Sequence, residues 1–223
     1  MASNVTYHKI EELPGVIPVF PLRAALLLPR GEMPLNVFEP RYLAMIEDAI
    51  QGGRIIGMIQ PNPEAAEDEE RPELVRVGCA GRLTAFGETG DGRYLVTLTG
   101  VVRFRLVEEL EVATPYRQVR AAFDEFAHDL EPGEGQDAVD RAALLKTLKD
   151  YLEANNLEAD WDGVRRAPNE ALVNALAMMS PFGPREKQAL LEAADLKSRA
   201  EILVAVTEME LARARGDASS SLQ

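Results

Sequence analysis

The feature that most constrains this chain is a change of hydrophobic period at Glu131-Pro132-Gly133-Glu134-Gly135. Before that linker, apolar residues alternate in short runs separated by Gly and Pro; after it they recur every three or four positions. A strand repeats its faces every two residues and a helix every 3.6, so the two halves require different architectures. The fold class read from this is α+β. A small β-barrel with one packed helix is predicted over residues 14–124, an α-helical bundle over 136–215, and flexible termini over 1–13 and 216–223. At 223 residues and 46% hydrophobic, the chain is long enough to bury a core without disulfide staples.

The first half is organised around Ile17 to Ile50, IPVFPLRAALLLPRGEMPLNVFEPRYLAMIEDAI. The prolines of Ile17-Pro18-Val19-Phe20-Pro21-Leu22 cannot donate to a ladder, which predicts an edge or entry strand. Glu39-Pro40 opens a helix: proline at the first helical position loses no hydrogen bond, and a carboxylate there complements the helix dipole. Leu43, Ile46 and Ile50 follow the 3.6 period, and Gly52-Gly53 stops the helix. Arg54 to Ile59 is a continuous apolar run of strand length. Arg82 to Phe86 pairs with Arg93 to Leu98 across the glycine-rich loop 87–92, which joins strand to strand and lacks the Gly-Lys-Ser/Thr ending of a phosphate cradle. In Gly100-Val101-Val102-Arg103-Phe104-Arg105-Leu106, the alternation puts Val102, Phe104 and Leu106 on one face and both arginines on the other. Pro61 to Pro72 is acidic and proline-flanked, an exposed loop without the ligand spacing of a calcium site.

In the second half, Leu145, Leu148 and Leu152 form one helical stripe, and Leu172, Val173, Leu176 and Met179 form another. A short helix runs from Arg185 to Ala194. The Ser198/Glu201 pair reads as a capping box for a last helix that turns Ile202, Leu203, Val206 and Met209 inward. Trp161 falls in a loop and reads as its anchor.

Phe20-Pro21-Leu22, the PLNVFEPRY of Pro34 to Tyr42, Gly100 to Arg105, Ser180-Pro181-Phe182 and the EKQALLEA of Glu186 to Ala193 occur in a fixed order. Together they resemble the N-terminal, substrate-binding domain of the ATP-dependent Lon protease, in the form of a standalone bacterial Lon-N protein. The resemblance spans roughly Leu13 to Ala212. It implies a barrel like that of pseudouridine synthases and archaeosine transglycosylases (PUA-like), followed by a helical subdomain. It also implies recognition of unfolded or exposed polypeptide segments, with a Lon-type or other ATP-dependent protease as a cooperating partner.

Chemistry of other kinds finds little support in the residues. The net charge is −13. Residues 1–123 carry 13 basic against 17 acidic groups and residues 124–223 carry 11 against 20. Phosphate affinity comes from clustered Lys and Arg, so nucleic acid is disfavoured. No signal sequence or run of 18 apolar residues occurs, so neither export nor a membrane span is indicated and the expected location is cytoplasmic. Cys79 alone forms no internal disulfide and reads as a buried thiol. One Cys with His8 and His128 cannot build a zinc site, no nucleophile elbow occurs, and the five lysines lie outside a Ser-Lys protease context. The expectation is a non-enzyme without metal or cofactor, an adaptor for proteolysis.

The site expected from this reading is an edge strand and an apolar groove beside the Pro40 to Ile50 helix. Its candidate residues are Phe20, Leu22, Phe38, Tyr42 and Met45, although side chains of these types are more often core. Arg41 and Arg103 are expected to form internal ion pairs with Glu39 or the acidic loop. The competing reading is an RNA-binding PUA-like module with a basic face built from Arg103, Arg105, Arg117 and Arg120.

Overall fold

The computed structural model describes residues 5–66, 69, 71–155 and 157–220, with side chains through Arg213. Parts of three expectations lie outside them: the start of the N-terminal lead-in, Glu67, Asp68 and Glu70 of the acidic loop with Asn156, and the last three residues of the tail. The protein is α+β. Six strands, β1 (Val16–Pro21), β2 (Glu32–Val37), β3 (Ile55–Ile59), β4 (Val77–Glu88), β5 (Tyr94–Leu110) and β6 (Gln118–Ala122), form a mixed sheet in the order β2-β5-β4-β3-β1-β6. Only β1 and β3 are parallel. β5 is long enough to pair with β2 and β4 through its first part and with β6 through its last, so pairing runs in a circuit from β5 through β4, β3, β1 and β6 back to β5.

The chain forms two compact units. One runs to Pro132 and includes Phe182–Leu191; the other comprises Gly133–Pro181 and the chain from Glu192 onward. In the first, helix α1 (Pro40–Gln51) turns Tyr42, Met45, Ile46 and Ala49 inward. β3 is buried along its whole length, as its unbroken apolar run requires. The second contains α2 (Arg141–Ala154), α3 (Trp161–Arg166), α4 (Asn169–Met179) and α6 (Leu196–Ser220), with α5 (Pro184–Glu192) belonging to the first unit through Leu191.

β1 is not an edge strand, because β3 and β6 flank it on its two sides. Its backbone N–H groups alternate sides: Val19 donates to Arg117 on the β6 side and Leu22 to Ile59 on the β3 side. By that alternation Pro18 would donate toward β3, whose register begins only at Val19, and Pro21 toward β6, whose register ends at Pro18. Each proline therefore falls where the neighbouring strand has run out. The true edge is β2, which pairs with β5 alone.

Gly100 shows how closely the chain passes itself. A Cβ there would lie 2.0 Å from the Leu28 carbonyl oxygen, and Gly100 exchanges hydrogen bonds with Arg30 and Gly31 at 2.8 Å each. The largest departure from the alternation reading is Arg103, which is 1% exposed. The 3₁₀ segment Asp124–Leu130 lies over its side of the strand, so both faces of β5 are buried there. Arg103 pairs with Asp129, not with Glu39 or the acidic loop: Nε–Oδ2 is 2.8 Å, Nη2–Oδ1 2.9 Å, and its backbone N donates to Oδ2 at 3.0 Å. Its Nη1 also donates to the Leu191 carbonyl at 3.0 Å, and the guanidinium lies 4.6 Å over the Phe126 ring.

The helical stripes are rotated from the sequence reading. α2 buries Leu144, Thr147 and Leu148; α4 buries the expected Leu172 and Val173, together with Asn174 and Ala177, and leaves Met179 82% exposed; α6 buries the expected Leu203, with Thr207 and Leu211, and exposes Met209. Asp195 caps α6 by accepting from Ser198 N at 2.7 Å, in place of the Ser198/Glu201 box. Trp161 starts α3, capped by Asp160, and is not in a loop. Leu13, assigned to the lead-in, is buried behind a 3₁₀ turn at Ile10–Glu12, and the backbone of α6 continues past Gly216 to Ser220.

Two outcomes follow from the buried charges. Asp129→Ala removes the carboxylate that balances the charge of Arg103 in the core, and urea denaturation will show a loss of about 3–5 kcal/mol. Burial lowers the Lys187 pKa to about 8, so between that value and the ordinary lysine range the unfolded chain binds the extra proton and folding is favoured as pH rises. Stability at pH 10 will exceed that at pH 7.5 by ~2 kcal/mol through this residue, and Lys187→Met will abolish that rise.

Candidate functional site

α1 is held by contacts at both ends. Glu39 precedes Pro40 and accepts from Arg41 Nε at 2.9 Å instead of capping the helix, while the Arg41 guanidinium lies 4.6 Å over the Tyr42 ring. That ring packs against Phe20 at 4.1 Å between centroids. Further along, Tyr94 of β5 donates to Glu47 at 2.8 Å and Tyr116 donates to Asp48 Oδ2 at 2.6 Å. Burial, followed by that hydrogen bond and the nearby carboxylate charge, pushes the Tyr116 pKa up to about 12, so the phenol remains a donor to Asp48 across the physiological range.

The five candidate residues do not come together as one surface. Phe20, Tyr42 and Met45 are buried, Met45 completely. Leu22 is 38% exposed at the end of β1, and Phe38 is 61% exposed between β2 and α1, where Arg93 covers its ring at 5.6 Å. Tyr42 lines a depression beside α1.

Two depressions lie beside α1 among the described residues. A larger one of about 490 Å³ follows the C-terminal end of α1 and is lined by Leu13, Val16, Pro18, Asp48, Arg54 and Tyr116, among others. A smaller one of about 160 Å³ lies at the helix start, between Arg41, Tyr42, Pro21, Pro72, Pro115 and Arg117. Tyr116 lines both, so they adjoin at its side chain. Their walls are mainly proline, tyrosine and aliphatic side chains, with Glu12, Asp48, Arg54, Arg41, Glu69 and Arg117 among them, contributed by the N-terminal segment, β1, α1, the 61–72 loop and the approach to β6. The alternation and helical-period arguments select residues pointing into a core, so they pass over Asp48, Arg54 and Tyr116. The one local signal was the glycine break Gly52-Gly53 with an arginine directly after it.

The four arginines of the expected basic face are engaged with carboxylates. Arg103 is buried on Asp129, Arg105 forms a two-pronged pair with Glu125 at 2.7 Å, and Arg120 holds Glu108 at 2.9 Å. Arg117 reaches Glu109 at 2.5 and 2.9 Å. Burial opposes the charge on Glu109, but hydrogen bonds from Arg117 and Arg71 keep its pKa below the ordinary glutamate value. Such pairs neutralise the face an RNA backbone would need. Among the described residues, no group of three His, Cys, Asp or Glu side chains could hold a metal ion, and no helix is long and apolar enough to cross a membrane.

Comparison with known proteins agrees with this architecture. Residues 16–207 match the model of the ATP-dependent protease La (LON) substrate-binding domain. Lon protease 2 of Myxococcus xanthus is 28% identical over 201 residues, covering 87% of this chain and 24% of its own length. Lon protease of Parabacteroides distasonis is 30% identical over 210 residues, covering 90% and 24% respectively. The chain therefore spans about a quarter of the curated relatives it matches. Among solved structures, the N-terminal domain of Mycobacterium avium complex Lon protease superposes with a TM-score of 0.62 at 18% identity, over 86% of this chain and 98% of that one. The Lon N-terminal domain protein of Xanthomonas campestris gives 0.60 at 21%, over 85% and 97%. With its family model covering most of its length and its fold matched in two solved N-terminal domains, this chain belongs to the Lon substrate-binding domain family.

Proposed function

We propose that this protein is a non-catalytic polypeptide-binding module that holds extended, unfolded segments in the groove flanking α1, for delivery to an ATP-dependent protease. The observation that carries the reading is the pair of adjoining depressions along α1, walled by Tyr42, Tyr116, prolines and aliphatic residues. Apolar walls of this kind grip side chains with little demand for sequence, which suits a receptor for unfolded chains. The circuit of strand pairing supports a PUA-like barrel for the first unit, and the packing of α2, α4 and α6 supports a bundle for the second.

The free edge of β2 is the other place where an extended chain could pair, but it is guarded. Pro34 sits in its middle and Glu32 is exposed at its start, and both devices discourage strand addition. The groove is therefore assigned the client, and the edge is not.

Fluorescence anisotropy with a reduced, carboxymethylated model polypeptide tests the reading. Val16 lines the larger depression and is 38% exposed, so Val16→Glu can place a charge in the groove without burying one. It will weaken binding about tenfold, ~1.4 kcal/mol, at nearly unchanged melting temperature. The exposed Met179→Glu in the second unit will bind as wild type. Equal binding by wild type and Val16→Glu would remove the groove from the reading, and an RNA oligomer binding where the polypeptide does not would reverse it. Tyr42→Ala, which removes a buried ring, will cost about 3–5 kcal/mol of stability in denaturant titration, while Phe38→Ala will cost under about 1 kcal/mol.

A further inference from the structure

The turn that ends α1 contains a residue whose backbone conformation does not suit its type. Gly52 N donates to Asp48 O, and Arg54 N donates to Ala49 O at 3.0 Å. The residue in the left-handed region is Arg54, at φ 60°, although two glycines directly precede it. An L side chain there is strained, and glycine is the usual occupant of such a position after a helix. Backbone pairing does not call for arginine either: its N–H and its carbonyl, which accepts from Leu83 N at 2.8 Å, would bond equally well with glycine in place. What arginine adds is its side chain. Arg54 is half-buried and is one of the residues lining the larger depression, and its side chain makes no hydrogen bond or ion pair with any described residue.

The remainder of that depression limits what the guanidinium can receive. Leu13, Val16, Pro18 and Ile55 make its walls apolar. Its two carboxylates already accept hydrogen bonds, Asp48 from Tyr116 and Glu12 from the His8 backbone N–H at 2.9 Å. Their negative charge disfavours phosphate dianions and nucleic acid more strongly than a monoanion, so a single carboxylate attached to an apolar body is the anion that one guanidinium among aliphatic walls matches best. At about 490 Å³, the depression falls within the roughly 300–1,000 Å³ typical of sites for small ligands.

Resting on the polypeptide-binding reading above, we infer that this end of the groove captures the C-terminus of the client chain. Arg54 takes the terminal α-carboxylate, and the aliphatic walls take the last side chain. Arg54 is thus the residue that distinguishes a chain end from an internal segment.

The test uses two fluorescently labelled octapeptides of one sequence ending in leucine, one with a free carboxylate and one amidated, titrated against wild type, Arg54→Gly and Arg54→Lys. Wild type will bind the acid about tenfold more tightly than the amide. Arg54→Gly will bind both with the amide's affinity and will melt about 2–4 °C higher, because the strained position is relieved. Arg54→Lys, which keeps the charge, will retain part of the preference. Equal affinity of wild type for acid and amide, or a preference that survives in Arg54→Gly, would overturn the inference while leaving polypeptide binding in place. Failure of wild type to bind either octapeptide or the unfolded polypeptide would overturn both.

Discussion

The pairing of Arg103 with Asp129 is the interaction on which the first unit depends. A guanidinium removed from water is tolerated only when its charge and donors are met, and here every nitrogen has a partner: the two oxygens of Asp129, the carbonyl of Leu191, and His128 Nε2 at 3.0 Å. Asp129 is engaged in turn, since its carbonyl accepts from Arg30 at 2.6 Å. The pair therefore joins the middle of β5, the 3₁₀ segment after β6 and the end of α5, and Arg30 ties the turn before β2 to the same segment. Apolar packing alone would place these elements without fixing their register, because the aliphatic contacts of a sheet face are not directional. The bidentate geometry is directional, which is why the segment Asp124–Leu130 can close over β5 in one position.

With that frame held, α1 can afford an open flank. Its inner face is packed on Phe20 and the core, and its ends are pinned by Tyr94 on Glu47 and Tyr116 on Asp48. The hydrogen bond that secures the helix also sets the ring of Tyr116 between the two depressions, so the wall of the groove is part of the scaffold. Under the proposed function such rigidity is an advantage, because the client then brings all the disorder and the ordering cost falls on one side only. The strained Arg54 stands at one end of that groove, in the manner of backbone outliers retained where a side chain has a task.

Much of the fold was legible in the sequence. The change of period at Glu131–Gly135 placed strands before it and helices after it, and Pro40 and Gly52 bounded α1 within a residue. The hairpin between β4 and β5 followed from its glycine loop. What failed did so where tertiary cover overrode a local pattern. Arg103 alternates as a surface residue, yet another segment of chain lies on that face. The prolines of β1 signal an edge, yet staggered neighbours leave each one unpaired inside the sheet. The helical stripes were rotated by a residue or so, because Thr147, Ala177 and Thr207 are buried by contact with neighbouring helices and a reading of apolar residues skips them. The groove was the least legible part: its location beside α1 could be conceived, but its lining comes from prolines, a helix terminus and an arginine, which carry no periodic signal.

The most direct measurement is amide hydrogen exchange of the protein with and without a saturating unfolded polypeptide. Binding in the groove predicts added protection at the C-terminal turn of α1 through Arg54 and along the approach to β6 around Arg117, with β2 unchanged. Protection of β2 with no change beside α1 would contradict the assignment and place the client on the sheet edge.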